Sequence, residues 1–367
     1  MDGHGVGGIL PGQEIRALEA AGAIVAEHPF DPDQVQPASL DLRLGATAYR
    51  IRASFLAGPG VPVDAKLAPL TLHAIDLTQG AVLETGCVYL VPLQESLALP
   101  ADLSATANPK SSTGRLDVFT RVVVDGGRAF DTVPAGYHGP LYAEISPRTF
   151  PVLVRAGSRL SQMRFRRGTA LIGDAELKAL HARERLVEPG EPVIGDGLHV
   201  SIDLIGAGDG APIGYRAKRH TGVVDIDAKA ACDVLDYWEP LDIRGAGSLI
   251  LDPDEFYILV SREAVHVPPS VAAEMVPIDP LVGEFRVHYA GFFDPGFGHA
   301  ASGGRGARAV LEVRSREVPF ILDHGQVVGR LVYERMTARP ETLYGEGIGS
   351  NYQAQGLKLS KHFRAGA

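Results

Sequence analysis

The chain is poor in the residues that cross-link, anchor or ligate. Two cysteines, Cys87 and Cys232, occur in 367 residues, too few for a disulfide framework and suited to a reduced compartment. Long apolar runs are missing. The longest, Val88–Val91 and Phe256–Val260, are strand-sized and far short of the roughly 20 residues of a membrane-spanning helix. No membrane partner is expected. The opening MDGHGVGG has neither a basic n-region nor an apolar h-region, so a cytoplasmic location is expected. Zinc signatures are absent: the 12 histidines form no H-E-x-x-H and no H-x-E with a P-C-x-x-C partner. The G-x-G-x-x-G spacing of Gly3–Gly8 follows no strand, which excludes a dinucleotide fold built on it. An excess of basic residues is lacking too. A formal charge of −9 argues against duplex nucleic acid, yet leaves room for a small anion held by a few local cations.

What is present is a repeat. One constant spacing pairs VYLVPLQESLALPADLSA (88–105) with FYILVSREAVHVPPSVAA (256–273), setting Tyr89 against Tyr257, Glu95 against Glu263 and Pro100 against Pro268. The same spacing pairs Glu144 with Glu312 and Gly157 with Gly325. Upstream, PASLDLRLG (37–45) is matched to HVSIDLIG (199–206) at a slightly shorter spacing. Several matches in one order mean a tandem duplication. The expected modules are 1–175 and 190–340, followed by a tail, 341–367.

Each copy alternates short apolar segments with Gly, Pro and Asp turns, which predicts an all-β sandwich or barrel-like module. Few helices are expected: 12–24, 175–186 and 226–238.

Three segments could carry chemistry. Pro109-Lys110-Ser111-Ser112-Thr113-Gly114-Arg115-Leu116 offers hydroxyls, backbone N–H groups and cations, either as a plain polar turn or as a phosphate cradle. Its partner, Pro277–Gly283, has no serine and no arginine. The second copy instead has Ala290-Gly291-Phe292-Phe293-Asp294-Pro295-Gly296-Phe297, either a simple hairpin or a wall for a flat base with one carboxylate. Glu144 and Glu312 lie within strand-like sequence, where a carboxylate faces solvent or does work.

At these residues the chain resembles the dCTP deaminase family of the trimeric dUTPase-like superfamily. The family's RSS-x-x-R-L is matched by Lys110–Leu116, with Lys110 replacing an arginine. Its A-x-x-I-D-P-G-W is matched by Ala290–Phe297, and its V-L-E by Val310-Leu311-Glu312 and more loosely by Tyr142-Ala143-Glu144. Tyr344 and Tyr352-Gln353-Ala354-Gln355-Gly356 resemble the family's tail, and SLDLRLG is also familial. Val133-Pro134-Ala135-Gly136-Tyr137 lacks the aspartate in the first copy, so neither copy holds the whole set.

The resemblance implies two dUTPase-like distorted β-barrel or jelly-roll (β-clip) modules and a homo-oligomer with sites between modules. It implies dCTP and dUTP as ligands, with dTTP as a further candidate. Lys110 and Arg115 would anchor the substrate, and Ser111 and Ser112 would bind phosphate or fix the attacking water. Ala290 and Asp294 would meet the nucleoside, with a backbone carbonyl near Ala290 orienting that water, and Tyr344, Tyr352, Gln355 and Lys358 would close over the phosphates. Glu312 or Glu144 would move protons, with Arg115 countering negative charge. Mg²⁺ would arrive with the triphosphate, and no zinc is expected. The implied reaction is dCTP to dUTP and ammonia. Two alternatives stay open: a dUTPase or bifunctional enzyme, with Asp41 or Asp203 as a metal carboxylate, and a non-catalytic nucleotide-binding regulator.

Overall fold

The fold was analysed in a computed structural model, which describes residues 7–206, 208, 210–242, 247–277, 285–288 (backbone only), 291–345 and 356–364. The chain forms two compact units. Unit 1 contains residues 1–170 together with 220–231 and 336–341, and unit 2 contains the remainder.

Among the described residues, unit 1 has sheets of six, five and three strands. The six-stranded sheet is centred on Val88–Ala98 and His138–Pro147, and the five-stranded one on Arg159–Arg167. Leu10, Ile15, Leu40, Val122, Met163 and Phe165 belong to one core, while Ile51, Val63, Leu90 and Val123 belong to a second. Unit 2 repeats the plan with sheets of six, four and two strands. Its core includes Leu198, Leu259, Ala309, Leu311, Leu331 and Tyr333. The all-β expectation holds.

Strand register tests the duplication more sharply than sequence does. Glu144 faces Leu90 across its ladder and Glu312 faces Ile258, the same rung by the repeat spacing. Val133 pairs with Ala105 and Phe293 with Ala273. Pro134 therefore occupies in unit 1 the place of Asp294 in unit 2. Gly136 (φ +69°) and Gly296 (φ +99°) make the same left-handed turn, a conformation open to glycine because it has no Cβ.

Register also corrects the upstream match. Arg43 N donates to Glu95 and Ser201 N to Glu263, while Gly45 N donates to the Pro92 carbonyl and Asp203 N to that of Val260. Asp203 is thus the counterpart of Gly45, and Asp41, opposite Gln162 as His199 is opposite Arg330, is the counterpart of His199. The shared S-x-D-L letters misled because backbone pairing, not side-chain identity, fixes which residues are equivalent.

Two helices form where expected but end earlier, Gly12–Ala20 and Asp174–Arg183, and Ile24, counted in the first, begins the strand Ile24–Ala26. The third does not. Within 226–238 only Val234–Tyr237 is helical, capped by the Asp233 side chain on Leu235 N. The preceding Val224–Asp225 is a strand that pairs in parallel with Val152–Val154, and Arg155 holds Asp225 through two hydrogen bonds of 2.8 and 2.9 Å. The matching strand of unit 2, Phe320–Asp323, pairs only with Ser248–Leu251 among the described residues.

Candidate active site

In unit 1, the strand Leu103–Pro109 ends at a proline, which has no N–H to continue a ladder. Lys110 N donates to the Leu160 carbonyl (2.8 Å), and its own carbonyl accepts from Thr113 N (2.8 Å) and Gly114 N (3.0 Å). One helical turn, Ser111–Gly114, results. Ser112 and Arg115 are buried and Ser111 is half-buried. The Lys110 ammonium pairs with the Asp41 carboxylate, itself 1% exposed. The turn thus gathers Lys110, Ser111, Ser112 and Arg115 within six residues of chain.

Glu144 is buried, and Arg121 engages its Oε1 through Nε (3.2 Å) and a terminal nitrogen (2.5 Å). The guanidinium is fixed in turn: it lies 3.5 Å from the Phe130 ring centroid, a cation–π contact, and donates to Ser54 Oγ at 3.0 Å. Glu144 Oε2 is buried with no hydrogen-bond partner among the described residues. Of the two expected alternatives, the solvent-facing one does not describe this buried group. Sequence reading missed Arg121, whose only signal was its place across the ladder.

In unit 2, Glu312 is 5% exposed, and its neighbour across the second ladder is His288 rather than arginine. Asp294 is buried at the start of a tight turn, where Phe297 N donates to the Asp294 carbonyl (3.0 Å). The Phe297 ring stands 5.0 Å from Phe293, edge to face, and 5.5 Å from Tyr344. Tyr344 N donates to the Pro295 carbonyl (2.8 Å). A Cβ on Gly296 would come within 2.9 Å of Leu343 Cβ and 3.0 Å of Tyr344 N, so glycine here lets the Tyr344 segment close on the turn. The structure therefore brings Asp294 and Tyr344 onto one feature.

Lys358 is exposed, in a segment held by Phe363 edge-on to Trp238 (5.8 Å) and Tyr237 (5.4 Å). Ala290, Tyr352 and Gln355 lie outside the described residues.

Asp41 and Asp203, the carboxylates considered for a metal, already have cationic partners. Asp41 meets Lys110, and Asp203 Oδ2 meets Arg308 at 2.6 Å. Burial raises the Asp203 pKa, but the Gly206 and Ile205 N–H groups and Arg308 outweigh it and hold the carboxyl below its usual range. Among the described residues no three or more His, Cys, Asp or Glu side chains converge into a group that could hold a metal ion. No described helix is long and apolar enough to cross a membrane.

Comparison with known proteins gives the family. The model of the 2'-deoxycytidine 5'-triphosphate deaminase N-terminal domain matches residues 6–169, and that of the C-terminal domain matches 173–363. A crystal structure of 2'-deoxycytidine 5'-triphosphate deaminase from Agrobacterium tumefaciens is 68% identical, with a TM-score of 0.87, covering 90% of this chain and 99% of that one. A dCTP deaminase of Halorubrum lacusprofundi is 32% identical over 162 residues, 43% of this chain and 76% of that protein. A "dCTP deaminase, dUMP-forming" of Methanothermobacter thermautotrophicus is 30% identical over 161 residues, 43% of this chain and 78% of that protein. The duplicated module is of the dUTPase-like β class. The chain belongs to the dCTP deaminase family and is an enzyme of that family in two-module form.

Proposed function

We propose that the chain deaminates dCTP to dUTP and ammonia, with Glu312 as the proton carrier and the Lys110–Arg115 turn as the phosphate-binding element. One observation carries the choice of glutamate. Glu312 shares its unit with the Asp294 turn, on which Tyr344 packs through Phe297 and the Pro295 carbonyl, whereas unit 1 has Pro134 in the place of Asp294.

Deamination needs water added at C4 of cytosine and a proton delivered to N3, followed by ammonia leaving C4. Glu312 would take one proton from the water and pass it to N3, then take the proton of the new C4 hydroxyl and give it to the amino group, so that ammonia leaves as the C4 carbonyl forms. The Arg115 guanidinium, always cationic, would counter charge gathering in the transition state. Lys110, Ser111 and Ser112 would hold the triphosphate, which arrives as its Mg²⁺ complex with the metal mainly on phosphate oxygens. Asp294 would orient the sugar and base, and Tyr344 would cover them.

The phosphate-binding set and the proton carrier would come from different modules of a homo-oligomer. Mixing Arg115→Ala chains with Glu312→Gln chains tests whether the two sets serve one nucleotide. Regained turnover in the mixture supports sites shared between chains, and none supports sites confined to one.

A second reading is favoured by a specific finding, since several relatives are named dUMP-forming. Incubation with dCTP and Mg²⁺, with EDTA and a zinc-selective chelator as controls, separates the two. Equal ammonia and dUTP are expected. Pyrophosphate and dUMP would replace the reading with the dUMP-forming one, and loss of activity specifically on zinc removal would overturn the carboxylate mechanism.

A further inference from the structure

We propose that Asp41 is a positioning residue that holds the Lys110 ammonium at the mouth of the Ser111–Ser112 turn, ready for the triphosphate. The inference rests on reading that turn as the phosphate-binding element. Asp41 lies on the strand Leu40–Arg43, and its backbone is fixed on both sides. Its N–H donates to the Gln34 carbonyl (3.0 Å), and its carbonyl accepts from Gln34 Nε2 (2.9 Å). Gln34 Nε2 also donates to Glu95 Oε1 (2.8 Å), which Arg43 Nε holds at 2.8 Å. A carboxylate mounted this way cannot wander.

Its two oxygens are unequal. Oδ2 accepts from Lys110 and lies 3.7 Å from an Arg159 nitrogen, whereas Oδ1 is buried with no hydrogen-bond partner among the described residues. Arg159 is engaged elsewhere, by Asp31 and, at 2.9 Å, by Asp33. Lys110 is therefore the cation that Asp41 controls. An ammonium has three donors, so one can stay on Asp41 while the others face a phosphate. The Lys110 side chain is 21% exposed, which leaves that approach open. A lysine is costly to order because its stem has many rotamers, and the buried carboxylate meets that cost before substrate arrives.

The test is steady-state kinetics on the full-length enzyme with dCTP, for Asp41→Asn, Lys110→Ala and the double variant. Inorganic triphosphate and deoxycytidine serve as competing probes. Asp41→Asn is expected to raise KM about tenfold, the effect of un-ordering one long side chain, with kcat within about twofold. Inhibition by inorganic triphosphate should weaken in parallel, and inhibition by deoxycytidine should not change. The double variant should be no worse than Lys110→Ala, because both remove one interaction. An unchanged or lower KM in Asp41→Asn while Lys110→Ala raises it, or additive effects, overturns the proposal and leaves the phosphate reading standing. An unchanged KM in Lys110→Ala sinks the phosphate reading itself. Should Asp41→Asn fail to fold, nitrogen NMR of the wild-type lysine side chains decides, with Lys110→Ala assigning the signal. A slowly exchanging, ordered Lys110 ammonium is expected, and one as mobile as the surface lysines contradicts the role.

Discussion

Glu144 and Glu312 stand on the same rung of the same ladder in two copies of one module, yet they have different neighbours. Glu144 is gripped by Arg121, which is stacked on Phe130. Glu312 has His288 in the adjoining strand and shares its unit with the Asp294 turn and Tyr344. Duplication preserved the backbone register and released the side chains around it. A carboxylate whose oxygen already holds a fixed guanidinium must break a charge-assisted bond to carry a proton there. In this chain, equivalent position therefore does not mean equivalent surroundings.

The contrast extends to a carboxylate held inside each module. Glu95 is fully buried and accepts from Arg43 Nε, Arg43 N and Gln34 Nε2. Among the described residues its counterpart Glu263 accepts from Ser201, through N (2.8 Å) and Oγ (2.5 Å). Glu95→Gln should cost about 4 kcal/mol, because it leaves a buried arginine without its anion. Glu263→Gln should cost about 1–2 kcal/mol, the scale of ordinary hydrogen bonds to a charged group. Chemical denaturation of both variants checks this, and equal losses would break the asymmetry.

Next in size is Arg121→Gln, which strips the cation from buried Glu144 and should destabilise by about 3 kcal/mol. If Glu144 is structural, kcat at a temperature where the variant stays folded should remain within tenfold of the parent. A collapse of kcat without loss of fold would return Glu144 to the chemistry.

Asp203 has no carboxylate counterpart, since Gly45 occupies its place in unit 1. Its lowered pKa means its contribution is present above the usual carboxylate range and is lost as pH falls through the folded-state value. Asp203→Asn should cost about 2 kcal/mol near neutrality and lessen the acid sensitivity of unfolding below pH ~4. An unaltered acid limb would contradict that account.

The smallest expected effect is at His266. Burial lowers its pKa, with Glu188 and Gly298 opposing and His299 and Arg185 adding to the depression. A depressed histidine stabilises the fold fully above its unfolded value, near 6.5, and loses that contribution as pH falls. Denaturation midpoints at pH 7.5 and 5 should differ less in His266→Asn than in the parent.

Much of this was legible in the sequence. The duplication, the β-rich class, the Ser-Ser-x-x-Arg turn and the Asp-Pro-Gly-Phe turn follow from spacing and turn chemistry, which are local. Arg121 against Glu144 and Lys110 against Asp41 were not legible, because a cross-strand or cross-sheet partner is set by tertiary pairing. The S-x-D-L letters failed for the same reason. They recur in both copies, but the ladders place Asp203 beside Gly45 and Asp41 beside His199 in the equivalence.

The most direct measurement is single-turnover release of ammonia from dCTP and Mg²⁺ by Glu312→Gln and Glu144→Gln, each compared with the parent. Loss of the proton carrier should slow Glu312→Gln by about 10³-fold with folding intact, while Glu144→Gln stays within tenfold and unfolds more readily. Near-parental ammonia release by Glu312→Gln, with Glu144→Gln inactive though folded, would contradict the assignment.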